Sequence, residues 1–463
     1  LQNTTNMLVT KTIFYALATA SIATLATAKP GSLRNNSKAF DTLETDEREL
    51  DCTLVLADTQ FEDNHDEQHW ECEVDSSSDS SARGHFLALN LEFNADYKDP
   101  VIGIIESGAT TLHADGAVLS ESKAIIRGAP KLAQKTFEHS RRLSTTGHRS
   151  VLVVRVEASD ASTSATEADL AREVFGLGDS SGGTDSFNLS SGFAQCSYDK
   201  LTFGPANDSV GTNGVYTVSI GSAVVGQTFG SVRNVVLDKL RDDFGNNDLN
   251  ALYDHVMVCM PSGTGTSQGG YTNWSAYGII NGYVTLYNDN WCMSPSAQMH
   301  EIGHNLGLRH SNEAGSSYED KSGMMGHSYL AYEIPRMCYN TAKNWQLGWY
   351  EDKHTTVNPL NDGFWQGQLI GYVDYMNSSA PISAAVVVKV EGHNLDYFIG
   401  FNVKTGINEQ NQEIDAFNKV TVHSVGTPGG DSSLVAKLGA GNTFEITNFG
   451  GGLQSAIIQV ENI

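Results

Sequence analysis

Positive charge is scarce in this sequence: 29 Lys and Arg stand against 54 Asp and Glu, a formal charge of −25. Such a chain repels phosphate backbones, which excludes nucleic acid as a natural partner. The acidity is read as a source of solubility. The regular D-x-D-x-D-G spacing of a calcium loop is absent. Cysteine is sparse, at Cys52, Cys72, Cys196, Cys259, Cys292 and Cys338, with none in residues 351–463. Six in all fit an oxidising compartment. After one apolar stretch near the start, no segment is apolar enough to cross a bilayer. No paired-carboxylate motif of a sugar hydrolase is recognisable.

What is present begins with an address. Met7 is followed by Lys11, an apolar stretch from Ile13 to Leu25, and the small-x-small run Ala26-Thr27-Ala28. This predicts a signal peptide over residues 1–28, cleaved before Lys29, and a secreted, extracellular protein with no membrane span after cleavage. In that setting the N-x-S/T sequons at Asn35, Asn188, Asn207, Asn273 and Asn377 become usable. With 463 residues, 40% hydrophobic, the chain is long enough for two or three domains.

Three regions follow. Residues 29–142 are polar at first, then β-rich, with strand-like runs Thr53-Leu54-Val55-Leu56 and Phe86 to Phe93. Cys52 and Cys72 flank the first run and are expected to pair. The region ends at Arg141-Arg142, a dibasic site that invites processing, so it is read as a propeptide and the active form is expected to begin near Leu143. Residues 143–350 alternate strands (Val151–Val156, His255–Met260, Tyr283–Tyr287) with helices (Glu167–Phe175, stopped by Gly176, and a second through Val232, Val235, Val236, Leu240 and Phe244, stopped by Gly245). That alternation argues an α/β or α+β domain on a mixed sheet. Residues 351–463 carry short apolar runs, Ala385–Val390 and Ala456–Val460 among them, between Gly, Asn and Asp clusters, and are expected to form an all-β sandwich.

The chemistry concentrates in His300-Glu301-Ile302-Gly303-His304-Asn305-Leu306-Gly307-Leu308-Arg309-His310. Ser294-Pro295 starts a helix. His300 and His304, four residues apart, share one face and can reach one ion. Glu301 stands beside them, able to touch a metal-bound water without being a ligand. Gly307 can take the left-handed conformation that ends the helix and brings in His310. Three imidazoles leave one zinc position open, as a catalytic site requires. Met325, in Ser322-Gly323-Met324-Met325-Gly326, suits a tight turn beneath the metal. His65 and His69 share the i, i+4 spacing but lack a third ligand and are read as a solvated polar loop. His255 is read as structural. His327 is kept as a weak site candidate. The four cysteines after Cys72 allow three pairings.

These residues resemble the metzincins and, more narrowly, the gametolysin family of algal cell-wall lysins. Further matching pieces are Gln195 to Leu201, Tyr253 to Val256, Tyr318-Glu319-Asp320 and Trp345 to Trp349, with a looser likeness at Tyr397 to Asn402. Ser311 after the third His resembles the matrixin and gametolysin branches rather than the adamalysins. The resemblance implies a metzincin-like catalytic domain and an extracellular zinc endopeptidase made as a zymogen. It would act on structural or cell-wall glycoproteins, with His300, His304 and His310 as ligands, Glu301 as base and Met325 in the methionine turn. A Pro-Arg-Cys-Gly cysteine switch is missing from residues 29–142, so latency must come from another device. By chain order, substrate would lie along an edge strand near Ala276–Ile280. The rival reading is a catalytically silent wall-binding protein that uses the C-terminal β region. An intact Glu301 argues against it, since a structural metal site needs no base.

Overall fold

The computed structural model describes residues 4–13, 47–62, 65–75, 82–91, 98–99, 103–120, 122–135, 145–177, 187–206, 211, 213–266, 272–326, 335–391, 394–449 and 454–463. It is a mixed α+β protein, rich in sheet and with few helices. The expected dibasic site and new N-terminus at Leu143 lie outside the described residues, as does His327. Of the expected leader, Thr4–Ile13 is described, as a strand between Phe364–Ile370 and Gln454–Asn462.

The largest sheet has twelve strands among the described residues. Its centre is parallel: Leu201–Pro205, Gly147–Glu157, His255–Met260 and Val284–Asn288 lie side by side, with Val215–Ser219 also on Gly147–Glu157. Helices cover both faces, so these strands are buried on both, and His255–Met260 has no exposed residue. Val151 and Val153 pack with Leu170, Val174, Phe193 and Ile302 on one side. Leu152, Val154 and Val156 pack with Val232, Val236 and Leu240 on the other. The helices end where the sequence predicts. Thr166 caps Glu167–Phe175, and Gly176 and Gly245 take left-handed φ of 70° and 61° at the two stops.

Trp274–Ile280 runs antiparallel beside Val284–Asn288, and the N-terminal region continues the sheet from it. Arg48–Phe61 pairs antiparallel with Trp274–Ile280, then come Asp66–Val74, Phe86–Leu89, Lys123–Ile126, Thr110–Leu119 and Lys131–Gln134. Cys52 and Cys72 pair across neighbouring strands, as expected. Cys196–Cys338 and Cys259–Cys292 resolve the pairing that the sequence left open.

A buried ion pair fastens the N-terminal region to the helix Phe229–Phe244. Arg233 Nη1 donates to Glu71 Oε2 at 2.9 Å and to the Tyr277 hydroxyl at 2.6 Å, and Nη2 donates to the Phe86 carbonyl at 2.7 Å. Tyr277 in turn donates to Glu71 at 2.8 Å. Burial would raise the Glu71 carboxyl, but Arg233, with His69 and Tyr277, holds it down at about 2.

The C-terminal region is largely β, with short helical turns. A six-stranded sheet and a four-stranded sheet share the core of Val388, Ile399, Val422, Ile446 and Ile458. The six-stranded sheet also recruits Ser311–Glu313, which pairs parallel with Ser432–Leu438. Where these regions meet, the Asn340 side-chain amide lies within 2.8–3.0 Å of Asp320, Ser311 and Ser432.

Candidate metal centre

Ser294 opens the helix Pro295–Asn305 by accepting from the Ala297 amide, with Pro295 in the first turn. His300 and His304 sit one turn apart with ring centroids 4.9 Å from each other. The helix then stops. Gly307 takes φ +86°, its amide bonds the His304 carbonyl, and the Leu308 amide bonds the Gly303 carbonyl. A side chain at Gly307 would meet nothing closer than 3.8 Å, so the left-handed backbone, rather than space, selects glycine. The reversal brings the His310 ring to 5.0 Å from His304 and 5.5 Å from His300.

Each imidazole is oriented by its Nδ1: His300 on the Met324 carbonyl at 2.7 Å, His304 on the Leu308 carbonyl at 2.9 Å, His310 toward Asp66 Oδ2 at 3.4 Å. Such bonds fix tautomer and aim in a metal site. A fourth group joins them. One ligand atom from each of Asp58, His300, His304 and His310 lies within 4.8 Å of the others, and all four side chains are buried. Asp58 Oδ2 is 3.2 Å from His310 Nε2 and 3.6 Å from His304 Nε2. Burial would raise Asp58, but His310 and His304 hold its carboxyl well below the usual range. Burial would lower His310, but Asp58 and Asp66 push it up to about 10. A buried set of three nitrogens and one carboxylate oxygen fits a divalent metal.

Glu301 is buried on the same helix, and a Cβ at Gly278 would come within 2.7 Å of its Oε2. The glycine therefore makes room for the carboxylate on the neighbouring strand. Met325 packs beneath the helix, where a Cβ at Gly303 would meet its Sδ at 2.7 Å. Its carbonyl accepts from the Ser311 amide, and the turn closes from the Gly326 amide to the Gly323 carbonyl. The same turn supplies the Met324 carbonyl that aims His300.

His255 is structural, as read. It bonds Asn305 at 3.1 Å, and burial holds it down at about 4. The solvated-loop reading holds for His65, which is exposed, precedes the strand Asp66–Val74 and stacks on Phe61, and needs correction for His69, which lies in that strand and is largely buried against Glu71 at 3.0 Å. Sheet pairing with Arg48–Phe61 orders the polar first half of this strand, whose second half alternates Trp70, Cys72 and Val74 into a hydrophobic core. The sequon at Asn188 also needs correction as a usable site, because its side chain is buried and caps the helix Leu189–Ser197. One residue of the cluster and one neighbour escape the sequence reading. Asp58 carries no motif, and Tyr318, whose ring lies 4.5 Å from His310 and whose hydroxyl lies 3.4 Å from Asp58, had been noted without a site role.

The Gly307 geometry makes a prediction. Gly307→Val places a β-branched residue at positive φ. The variant is expected to hold metal more weakly and lose activity, because the third imidazole is displaced while the first two stay. Metal retained after dialysis, compared among wild type, Gly307→Val and His310→Ala, measures this. A valine variant with wild-type retention and activity would remove Gly307 from the construction of the site.

Residues 149–433 match the family described as gametolysin peptidase M11. The chain belongs to that family. Membership makes it a metallopeptidase that acts on protein, in keeping with a buried His and Asp group able to hold a metal. Among curated proteins none matches. Among solved structures, "Structure of a chaperone-substrate complex" is similar at 17% identity over 47% of this chain. The match spans 34% of that structure's chain, with a TM-score of 0.20, and carries no argument about fold or function.

Proposed function

We propose that this gametolysin-family peptidase is a secreted, zinc-dependent endopeptidase of metzincin type, cutting extracellular or cell-wall glycoproteins, with His300, His304 and His310 as ligands and Glu301 as general base. The observation that carries the reading is the convergence of three buried imidazoles, two of them aimed through Nδ1 by the Met324 and Leu308 carbonyls, with a buried carboxylate on the same helix. Nitrogen-rich, compact donor sets suit zinc better than magnesium or calcium. A zinc ion held by His300, His304 and His310 would supply Lewis acidity, acidifying water toward a pKa of about 7 and polarising the scissile carbonyl. Glu301 takes the water proton and returns it to the departing amine. Gly278 keeps the space in which that carboxylate works, and once the N-terminal region is removed the edge of Trp274–Ile280 that pairs with Arg48–Phe61 would be open to an extended substrate. Residues 29–142 act as the propeptide and 351–463 as a β-rich C-terminal domain.

Casein hydrolysis by purified protein, after removal of the N-terminal region, is expected to stop with a zinc chelator and return with added zinc. Hydrolysis indifferent to the chelator would overturn the metal mechanism. No hydrolysis at all, with zinc bound, would favour the silent wall-binding alternative.

A further inference from the structure

The strand that covers the candidate substrate edge comes from the chain's own N-terminal region. Along it Ala57 faces Ile279, Asp58 faces Gly278, Thr59 faces Tyr277 and Gln60 faces Ala276, all antiparallel. Extended peptides dock on sheet edges in this way. The residue opposite Gly278, beside which Glu301 lies, is Asp58. Its Oδ2 approaches His304, His310 and the Tyr318 hydroxyl. Among the described residues its Oδ1, fully buried, has no hydrogen-bond partner. A buried carboxylate oxygen left without a partner is costly and points to a missing positive ligand.

We propose that Asp58 is the fourth metal ligand of the full-length chain, and that the strand Arg48–Phe61 keeps the peptidase silent by filling the open metal position and the substrate edge together. The proposal rests on the reading of the site as a catalytic metal centre. With three imidazoles and one carboxylate the coordination is closed, which is the character of a structural rather than a catalytic site. Glu301 then has no water on the ion to deprotonate. Asp58 presents a side-chain oxygen where a substrate would present a peptide carbonyl, so the strand occupies the cleft without offering its backbone to the metal. The latch is intramolecular and works at an effective concentration of about millimolar or above. The Glu71–Arg233 pair and the adjoining strand keep it in register. This is a device for latency in a chain that has no cysteine switch.

The test uses the full chain with Co2+ in the site, as wild type, Asp58→Ala and Asp58→Asn. The asparagine variant keeps the shape and removes the charge, so the comparison survives if the alanine variant folds poorly. Visible absorption of the cobalt reports its ligands, and calorimetric titration with a small hydroxamate reports access to the fourth position. Both variants should change the cobalt spectrum and bind the hydroxamate on the order of tenfold or more tightly than wild type, as expected when a tethered competitor is removed. Spectra and hydroxamate affinities equal to wild type in folded variants would overturn the proposal. A changed spectrum and tighter hydroxamate binding with no casein cleavage by any form would support Asp58 as the ligand while refuting the peptidase reading.

Discussion

Replacing Glu301 by Gln is expected to lower casein hydrolysis by a factor of about 10²–10⁴, the usual range for a lost general base, with metal content unchanged. Glutamine keeps the length and most of the volume of the side chain, so the fit over Gly278 survives. The imidazoles and their Nδ1 partners are on other residues and are untouched. What disappears is the group proposed to accept the water proton. Metal analysis and hydrolysis rates on the same preparation decide the matter: a full complement of metal with undiminished hydrolysis would remove Glu301 from the mechanism. Loss of metal along with activity would show that the residue shapes the site rather than working in it.

Replacing Arg233 by Met is expected to cost about 3–5 kcal/mol, the range for removing one partner of a buried ion pair. Glu71 would be left as a buried carboxylate with its main counter-charge gone, and the Phe86 carbonyl would lose a donor. The cost falls on the junction between the N-terminal region and the helix Phe229–Phe244, so amide exchange in Arg48–Phe61 and Asp66–Val74 should accelerate by roughly two to four orders of magnitude. Unchanged exchange in those strands would show that the pair does not anchor them. Acid should act at the same place. Glu71 sits at about 2 in the folded chain against an ordinary 4.5. Between those values the unfolded chain binds the extra proton, so the contribution is complete above about 4.5 and is lost as pH falls toward 2.

Features written in consecutive residues were legible from sequence. Thr166 and Gly176 bracket one helix, Ser294-Pro295 opens another, and Gly307 closes it at positive φ. Each depends on backbone groups a few residues away, so local chemistry suffices. The order of His300, Glu301, His304 and His310 belongs to the same class. Asp58 does not. Its place at the imidazoles follows from the register of Arg48–Phe61 on Trp274–Ile280, segments far apart in the chain, and a slip of one residue would turn the side chain to the other face. His69, read as part of a solvated loop, is buried for a related reason: its strand Asp66–Val74 is set by pairing with Arg48–Phe61, and its side chain meets Glu71. The disulfide Cys196–Cys338 was open for the same cause, since it joins the helix Leu189–Ser197 to the segment before Thr341–Leu347 and depends on the packed fold.

The strand Ser311–Glu313 starts at the residue after His310, and the His310 carbonyl accepts from the Ser432 amide at 3.0 Å. The third imidazole is thus moored on its C-terminal side by a rung of the six-stranded sheet. The apolar pattern changes near residue 350, which invites a division there into an engine and an accessory. In hydrogen bonds the line falls elsewhere: a chain ending at residue 350 would contain every residue assigned to the metal and to the proton, yet would lack the backbone that steadies one of them. The smallest stretch holding the whole site with its supports extends to the strand Ser432–Leu438.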